Sequence, residues 1–342
     1  MAMTEIRARK DQHLDIVLSG AAAPAAEASP FDAIRFVHEA APDFDADAID
    51  LSTPFLSFDL GAPLLISSMT GGPARATEIN FALADAARHF RIPFCVGSQR
   101  IALETDAASG IGRELRTRVG EAPLFANIGA AQVALWSDPA QALKAVDMIA
   151  ADALIVHFNP LQEALQPGGD TDWSNLTPAL RALAKASPVP LIAKEVGSGI
   201  SAATAERLSD VGFAAIDVAG TGGTSWAAVE AHRAEAPRDA EIAAPFRDWG
   251  IPTPVAIANI YAARPATPLI ASGGIRDGLD AAKAIRLGAS LVGQAAALLT
   301  PALEGSEAVI ARIDILLAQL RIACFCTGAR SLAALRAVPL QT

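Results

Sequence analysis

At 342 residues the chain is long enough for one large α/β barrel or two average domains. A net charge of −10 argues against nonspecific binding to nucleic acid, and no apolar run reaches the roughly 18 residues a membrane helix needs. Hydrophobic residues make up 52% of the chain, much of it alanine with few aromatics, a composition suited to helices packed closely on a sheet.

The first 60 residues read as an irregular N-terminal extension, a candidate substrate-covering arm. Its basic start (Arg7, Arg9, Lys10, His13) lacks the apolar core of a secretory signal. A small-residue linker over 19–29 follows, and then two stretches, 31–38 and 55–60, suited to packing on a main body. The three cysteines are Cys95 in an apolar run and the pair Cys324 and Cys326, too closely spaced for an ordinary zinc knuckle. They imply core packing and a reducing, cytoplasmic setting.

From residue 62 a rhythm sets in: a short apolar strand, a polar or glycine-bearing exit, an alanine-rich helix. The strands predicted are 64–67, 93–96, 124–127, 153–157, 191–194, 215–218, 269–272 and 291–292. Helices are predicted over 77–90, 139–150, 202–211 and 278–287, with closing helices at 308–322 and 331–337. Most spacings are one βα unit long, which points to a (β/α)8 TIM barrel over 61–300 with C-terminal helices over 301–342. An open doubly wound sheet is the alternative, but Ser68-Met69-Thr70-Gly71-Gly72 after the first strand is no dinucleotide fingerprint. A gap of 54 residues between the sixth and seventh strand starts marks a lid-like insertion at 221–254.

In such barrels chemistry sits at the C-terminal strand ends. The fourth strand end is the most telling: Asp152–Glu163 reads DALIVHFNPLQE, an aliphatic strand that turns abruptly to His157, Asn159, Gln162 and Glu163. Gly273-Gly274 after the seventh strand and Gly293 after the eighth fit the barrel's recurrent phosphate site, where bare backbone N–H groups approach phosphate oxygens and Arg276 adds charge. Tight turns that simply need glycine are the plainer alternative. Lys194 ends the fifth strand. It suits a Schiff base, the anion of a reduced flavin, or a salt bridge to Glu195 or another carboxylate, and the residue alone does not decide. Arg9, Lys10, His13, Arg100 and His157 are the cations placed to meet a second phosphate. For Arg9 and Lys10 the competing reading is a solvated arm. Glu163 offers one hard oxygen ligand, enough for Mg²⁺ when substrate phosphates supply the rest, though a surface glutamate reads equally well. Asp217, inside the sixth strand, reads as a buried hydrogen-bonded carboxylate.

Taken together, in order, these exits resemble the type 2 isopentenyl diphosphate isomerases, FMN-dependent barrel enzymes. The resemblance runs from Arg9 to about Leu299. It rests on His157, Asn159, Gln162 and Glu163, similar to that family's H-x-N-x-x-Q-E motif. Arg9-Lys10 with His13, 68–72, 97–100, 194–197, 222–224 and 272–274 support it. It implies interconversion of isopentenyl and dimethylallyl diphosphate in isoprenoid biosynthesis, with reduced FMN and Mg²⁺, NADPH as flavin reductant, and a homo-oligomer of four or eight chains.

It further implies that Ser68, Met69, Thr70, Ser98, Asn127, Lys194 and Thr224 hold the flavin ring and ribityl chain. Gly274, Ile275, Arg276, Ala295 and Ala296 would cradle its phosphate. Arg9, Lys10, Arg100, His157, Asn159 and Gln162 would meet the substrate, with Gln162 catalytic and Glu163 on the metal. No Asp or Glu of these motifs plainly serves as the acid that protonates an alkene, which leaves the flavin nitrogens as proton carriers. The chain departs from the pattern at Ala219, where relatives often have a serine, and at Gln12, where they often have a glutamate. The competing readings are another FMN barrel such as a 2-hydroxy-acid oxidase, a Schiff-base aldolase through Lys194, and a catalytically silent phosphate-binding barrel. The first would need a His or Cys at the late strand exits, which carry neither.

Overall fold

The computed structural model describes residues 3–24, 29–69, 74–105, 110–136 and 138–341, with backbone alone for 3–10, 74 and 105. Eight parallel strands close into a barrel. They are β1 (Leu64–Ile66), β2 (Phe94–Cys95), β3 (Leu124–Gly129), β4 (Ala153–Phe158), β5 (Leu191–Glu195), β6 (Ala215–Asp217), β7 (Leu269–Ser272) and β8 (Leu291–Gln294). Each strand pairs with the next in sequence, and β8 pairs with β1 to close the ring. All eight sequence-predicted strands are present, and the (β/α)8 architecture holds.

Side chains alternate along each strand, and this sorts the sequence into two cores. Leu65, Cys95, Phe125, Ala153, Ile155, Ile192, Ala215, Ile270 and Leu291 fill the barrel interior in one buried cluster. Their neighbours in sequence, such as Leu64, Ala126, Leu154, Ala193 and Leu269, face the helices in another. Alanines on the helices, among them Ala82, Ala86, Ala142 and Ala281, keep that outer layer thin. At the C-terminal ends the inward positions turn polar. Register places Gly129 beside His157, His157 beside Lys194, and Lys194 beside Asp217 on successive strands.

The extension is more ordered than its composition suggests. Residues Met3–Leu18 form a helix, and Thr53–Phe55 pairs with Phe58–Leu60 in an antiparallel hairpin. The hairpin's Phe55 and Leu60 join the barrel-interior cluster, so this element plugs the barrel. The helix was illegible because the stretch is largely polar before its last turn, where Val17 and Leu18 pack on the core. Leu14 is its one fully buried anchor among the described side chains. At the other end, the helix Ser306–Cys326 packs on Gly278–Arg286 and Ala74–Phe90. The later part of the N-terminal extension meets the C-terminal segment where Phe36 bridges Leu340 and Asp50 bridges Ser331. Cys95 and Cys324 are buried as expected. Among the described residues no helix is long and apolar enough to cross a membrane.

Candidate active site

The polar layer floors a cavity of about 870 Å³ at the C-terminal mouth of the barrel. It is lined by Ser68, Met69, Ser98, Arg100, Asn127, His157, Asn159, Gln162, Glu163, Lys194, Thr224, Gly274, Ile275, Arg276, Ala295 and Ala296, so strand ends far apart in sequence converge there. Thr70 lies outside the described residues, as do the side chains of Arg9 and Lys10; His13, further along the same helix, reaches the cavity wall. A larger cavity, about 1150 Å³, lies outside the barrel beside the helices Leu176–Ala186 and Ala202–Val211. Glu195 is the strand-end carboxylate that reaches it, whereas polar side chains from several strand ends converge on the smaller one, the candidate site.

Below the mouth, buried polar side chains fix one another. Asn127 donates through Nδ2 to the Val96 carbonyl at 3.1 Å, which makes its Oδ1 the acceptor. His157 Nδ1, 2.8 Å away, is therefore the donor of that pair. A Cβ at Gly129 would overlap Gln132 Oε1 and stand 3.2 Å from His157 Nε2, so the glycine makes room for both side chains. Lys194 Nζ donates to the Glu195 carbonyl at 2.7 Å and lies 3.7 Å from Asp217 Oδ2. Its carboxylate partner is thus Asp217 and not Glu195, whose side chain points to the opposite face of the strand. Asp217 is fully buried and accepts from Ser272 Oγ at 2.5 Å. Burial pushes its carboxyl up, against the pull of Lys194. Cys95 Sγ lies 2.7 Å from Ser68 Oγ, and burial pushes its thiol up to about 12, which rules it out as a thiolate nucleophile at neutral pH.

At the β4 exit, Pro160–Leu165 is a short helix, and Glu163 in its first turn is buried. One Glu163 oxygen accepts from Asn159 Nδ2 at 2.9 Å and the other from the Asp170 amide at 2.8 Å. Asp170 in turn holds Arg100 at 2.8 Å, and Arg100 also pairs with Glu104 at 3.0 Å. Asn159 Nδ2 also donates to Gln162 Oε1 at 3.1 Å, and Gln162 Nε2 donates to Glu230 Oε1 at 3.2 Å.

Glu230 is the residue sequence reasoning missed. It sits on the helix Trp226–Arg233 within the 221–254 insertion, buried beneath the mouth. His13 Nε2 lies 3.3 Å from it, the His13 ring meets Trp226 edge-on at 5.1 Å, and Arg233 pairs with it from the next turn. Burial alone would raise its carboxyl, but the hydrogen bond and charge of His13, with Arg233 and Gln162, hold it below its ordinary range. The available signal was one acid within WAAVE, where every neighbour is apolar. Arg312, from the long C-terminal helix, also reaches the mouth and donates to the Arg276 carbonyl at 2.8 Å. Ala219 lines the wall with φ of 36°, uncommon for a residue with a side chain.

The phosphate end is built from backbone. Gly273 and Gly274 adopt φ of 92° and 80°. A Cβ at Gly274 would stand 2.9 Å from Gly222, and one at Gly293 would stand 2.6 Å from Ser67 Oγ. Ser67 Oγ and Gln294 Oε1 are buried beside this cradle without a hydrogen-bond partner. Bare backbone and spare polar atoms fit a phosphorylated, hydrogen-bonding cofactor such as FMN.

Comparison with known proteins agrees. The family described as FMN-dependent dehydrogenase matches residues 97–342. The fold aligns with a putative lactate oxidase from Pediococcus acidilactici at a TM-score of 0.67 and 17% identity, over 97% of this chain and 93% of that one. A mandelate oxidase aligns at 0.66 and 16%, over 97% and 98%. At such identities the structures speak for the fold. The class is therefore that of FMN-dependent (β/α)8 barrel enzymes. Within it, the isopentenyl-diphosphate delta-isomerase of Stutzerimonas stutzeri is 55% identical over 98% of this chain and 97% of its own length. That of Xanthobacter autotrophicus is 54% identical over 98% and 97%, and that of a Nostoc species 44% over 95% and 92%. The chain belongs to the isopentenyl-diphosphate delta-isomerase family.

Proposed function

We propose that the chain interconverts isopentenyl and dimethylallyl diphosphate by a 1,3-proton shift at this mouth, in a reaction that would use Mg²⁺ to neutralise the diphosphate. The observation that carries the reading is the contact from Gln162 to Glu230, which puts an oriented amide and a buried carboxylate beside the polar layer. In this reading Ser68, Met69, Ser98, Asn127, Lys194 and Thr224 hold the flavin ring and ribityl chain, and the Gly273-Gly274 and 293–296 loops hold its phosphate. Reduced FMN, when bound, supplies a proton-carrying ring nitrogen. NADPH is the proposed source of its electrons.

The remaining work falls to side chains. His157 and Arg100, with Asn159, bind the diphosphate, and Arg9, Lys10 and His13 close over it from the N-terminal helix. Glu163 ligates Mg²⁺ through a carboxylate oxygen. Asn159 Oδ1, buried and without a hydrogen-bond partner, adds a second hard donor close by. Among the described residues no group of three or more His, Cys, Asp or Glu side chains can hold a metal, so the substrate must complete the shell. Gln162 is uncharged and can lie against an apolar five-carbon chain without the desolvation cost of a carboxylate. Its Nε2 is committed to Glu230, which fixes the amide and sets beside it a carboxylate held in its ionised, proton-accepting form. The reading is tested by assaying the purified protein with isopentenyl diphosphate, with and without reduced FMN and Mg²⁺. Turnover that needs neither would refute it.

A further inference from the structure

Lys194 and Glu195 are adjacent on β5 and point to opposite faces, the first into the mouth and the second toward the outer cavity. Oε2 of Glu195 accepts from the amides of Val196 at 2.7 Å, Gly197 at 2.6 Å and Gly199 at 3.2 Å, and from that of Ser198 between them. One buried oxygen thus gathers four consecutive N–H groups. The turn they form is a wall with two faces: Val196 and Gly197 line the mouth, while Ser198 and Gly199 line the outer cavity.

The turn has little freedom to find this shape otherwise. Gly199 is left-handed with φ of 79°, and its Cβ would meet the Ile251 carbonyl at 2.7 Å. A Cβ at Gly197 would meet the Thr224 carbonyl at 2.8 Å. Neighbouring backbone steadies only its far end: the Gly199 amide also reaches the Ala219 carbonyl at 3.0 Å, and the Ser198 carbonyl accepts from Ile251 at 2.9 Å. The Val196 and Gly197 amides donate to Glu195 Oε2 from the mouth side, so the carboxylate holds this part of the wall from behind.

We infer that Glu195 is a positioning residue for the cofactor: its Oε2 holds residues 196–199 as the wall against which the flavin is seated. The inference rests on placing FMN at this mouth. The residue touches neither cofactor nor substrate and acts through the turn. Burial pushes the carboxyl up to about 7 against the pull of the amides. Oε2 keeps its lone pairs in either protonation state, so an amide oxygen can replace it.

The test titrates FMN into the full chain, read by quenching of flavin fluorescence. Glu195→Ala weakens FMN binding on the order of 10- to 100-fold, the usual loss when an orienting group is removed. Glu195→Gln stays near the wild type. Formate, entering from the outer cavity, restores much of the affinity to Glu195→Ala, and equal chloride does not. If the alanine variant fails to fold, Glu195→Met fills the space without an acceptor and replaces it. Wild-type affinity in the acceptor-less variant overturns the inference. So does a loss that neither glutamine nor formate reverses, because a residue that only packs behaves that way. Gly274→Leu serves as the separate control: if it keeps wild-type FMN affinity, the placement of the flavin fails, and the inference falls with it.

Discussion

Gln162 Nε2 donates to Glu230 Oε1 across 3.2 Å, joining the helix that follows β4 to the helix of the 221–254 insertion. The two residues are 68 positions apart, and each has a second tie: Gln162 to Asn159, Glu230 to His13. The contact therefore fixes the amide relative to both the 157–163 motif and the N-terminal helix.

If this pair works at the reacting carbons, Gln162→Ala and Glu230→Gln each lower kcat by roughly 10²–10⁴, the span of acid–base participation. FMN affinity stays as in the wild type. Steady-state kinetics beside a flavin titration checks both halves. A variant with wild-type kcat returns its residue to packing.

Glu230 also sets a pH signature. Its folded carboxyl titrates below the ordinary value of 4.5. The folded chain thus binds that proton less tightly than the unfolded one. The stability from its pairs is complete above about pH 4.5 and is lost as pH falls through the lower folded value. Glu230→Gln lacks this contribution. The gap in urea midpoint between wild type and variant therefore shrinks as pH falls below about 4.5. A gap that widens at low pH contradicts the assignment.

Much of this was readable from the sequence, for physical reasons. Strands such as 153–157 are β-branched and aliphatic and then turn polar, because the barrel interior is dry and its mouth is not. The site residues at 157–163 and 272–276 were legible because they are fixed to strand ends, where position follows from topology. Glu230 was not, because its place depends on how a long insertion folds back over the mouth. The helix Met3–Leu18 was not, because what orders it is tertiary contact by Leu14, Val17 and His13, and its sequence is largely polar before the last turn. Glu195 was visible only as a neighbour of Lys194. That it faces away and gathers a turn needed coordinates.

Gly274→Leu abolishes FMN binding. At φ of 80° any side chain is strained, and its Cβ would meet Gly222 at 2.9 Å, so the cradle opens or fills. Flavin absorbance of the purified variant reads the outcome. Wild-type flavin content removes the phosphate from these loops.

Glu163→Gln keeps the size of the side chain, removes its charge and replaces one of its two acceptor oxygens, each of which now accepts from an N–H, by a donor. The Mg²⁺ concentration needed for half-maximal rate rises by about an order of magnitude or more, since a hard divalent ion loses its anionic protein ligand. FMN affinity is unchanged, because the flavin residues lie on other strand ends. An unaltered Mg²⁺ titration rejects the metal role.

The most direct measurement follows solvent hydrogen. The purified chain is given isopentenyl diphosphate, Mg²⁺ and reduced FMN in deuterium oxide, and the product is read by NMR before the reverse reaction accumulates. A 1,3-proton shift at an oriented, solvent-exchanging site predicts dimethylallyl diphosphate with one deuterium in a methyl group, formed only with reduced flavin and lost in Gln162→Ala. Product that carries no deuterium, or that forms equally well without the flavin, would contradict the account.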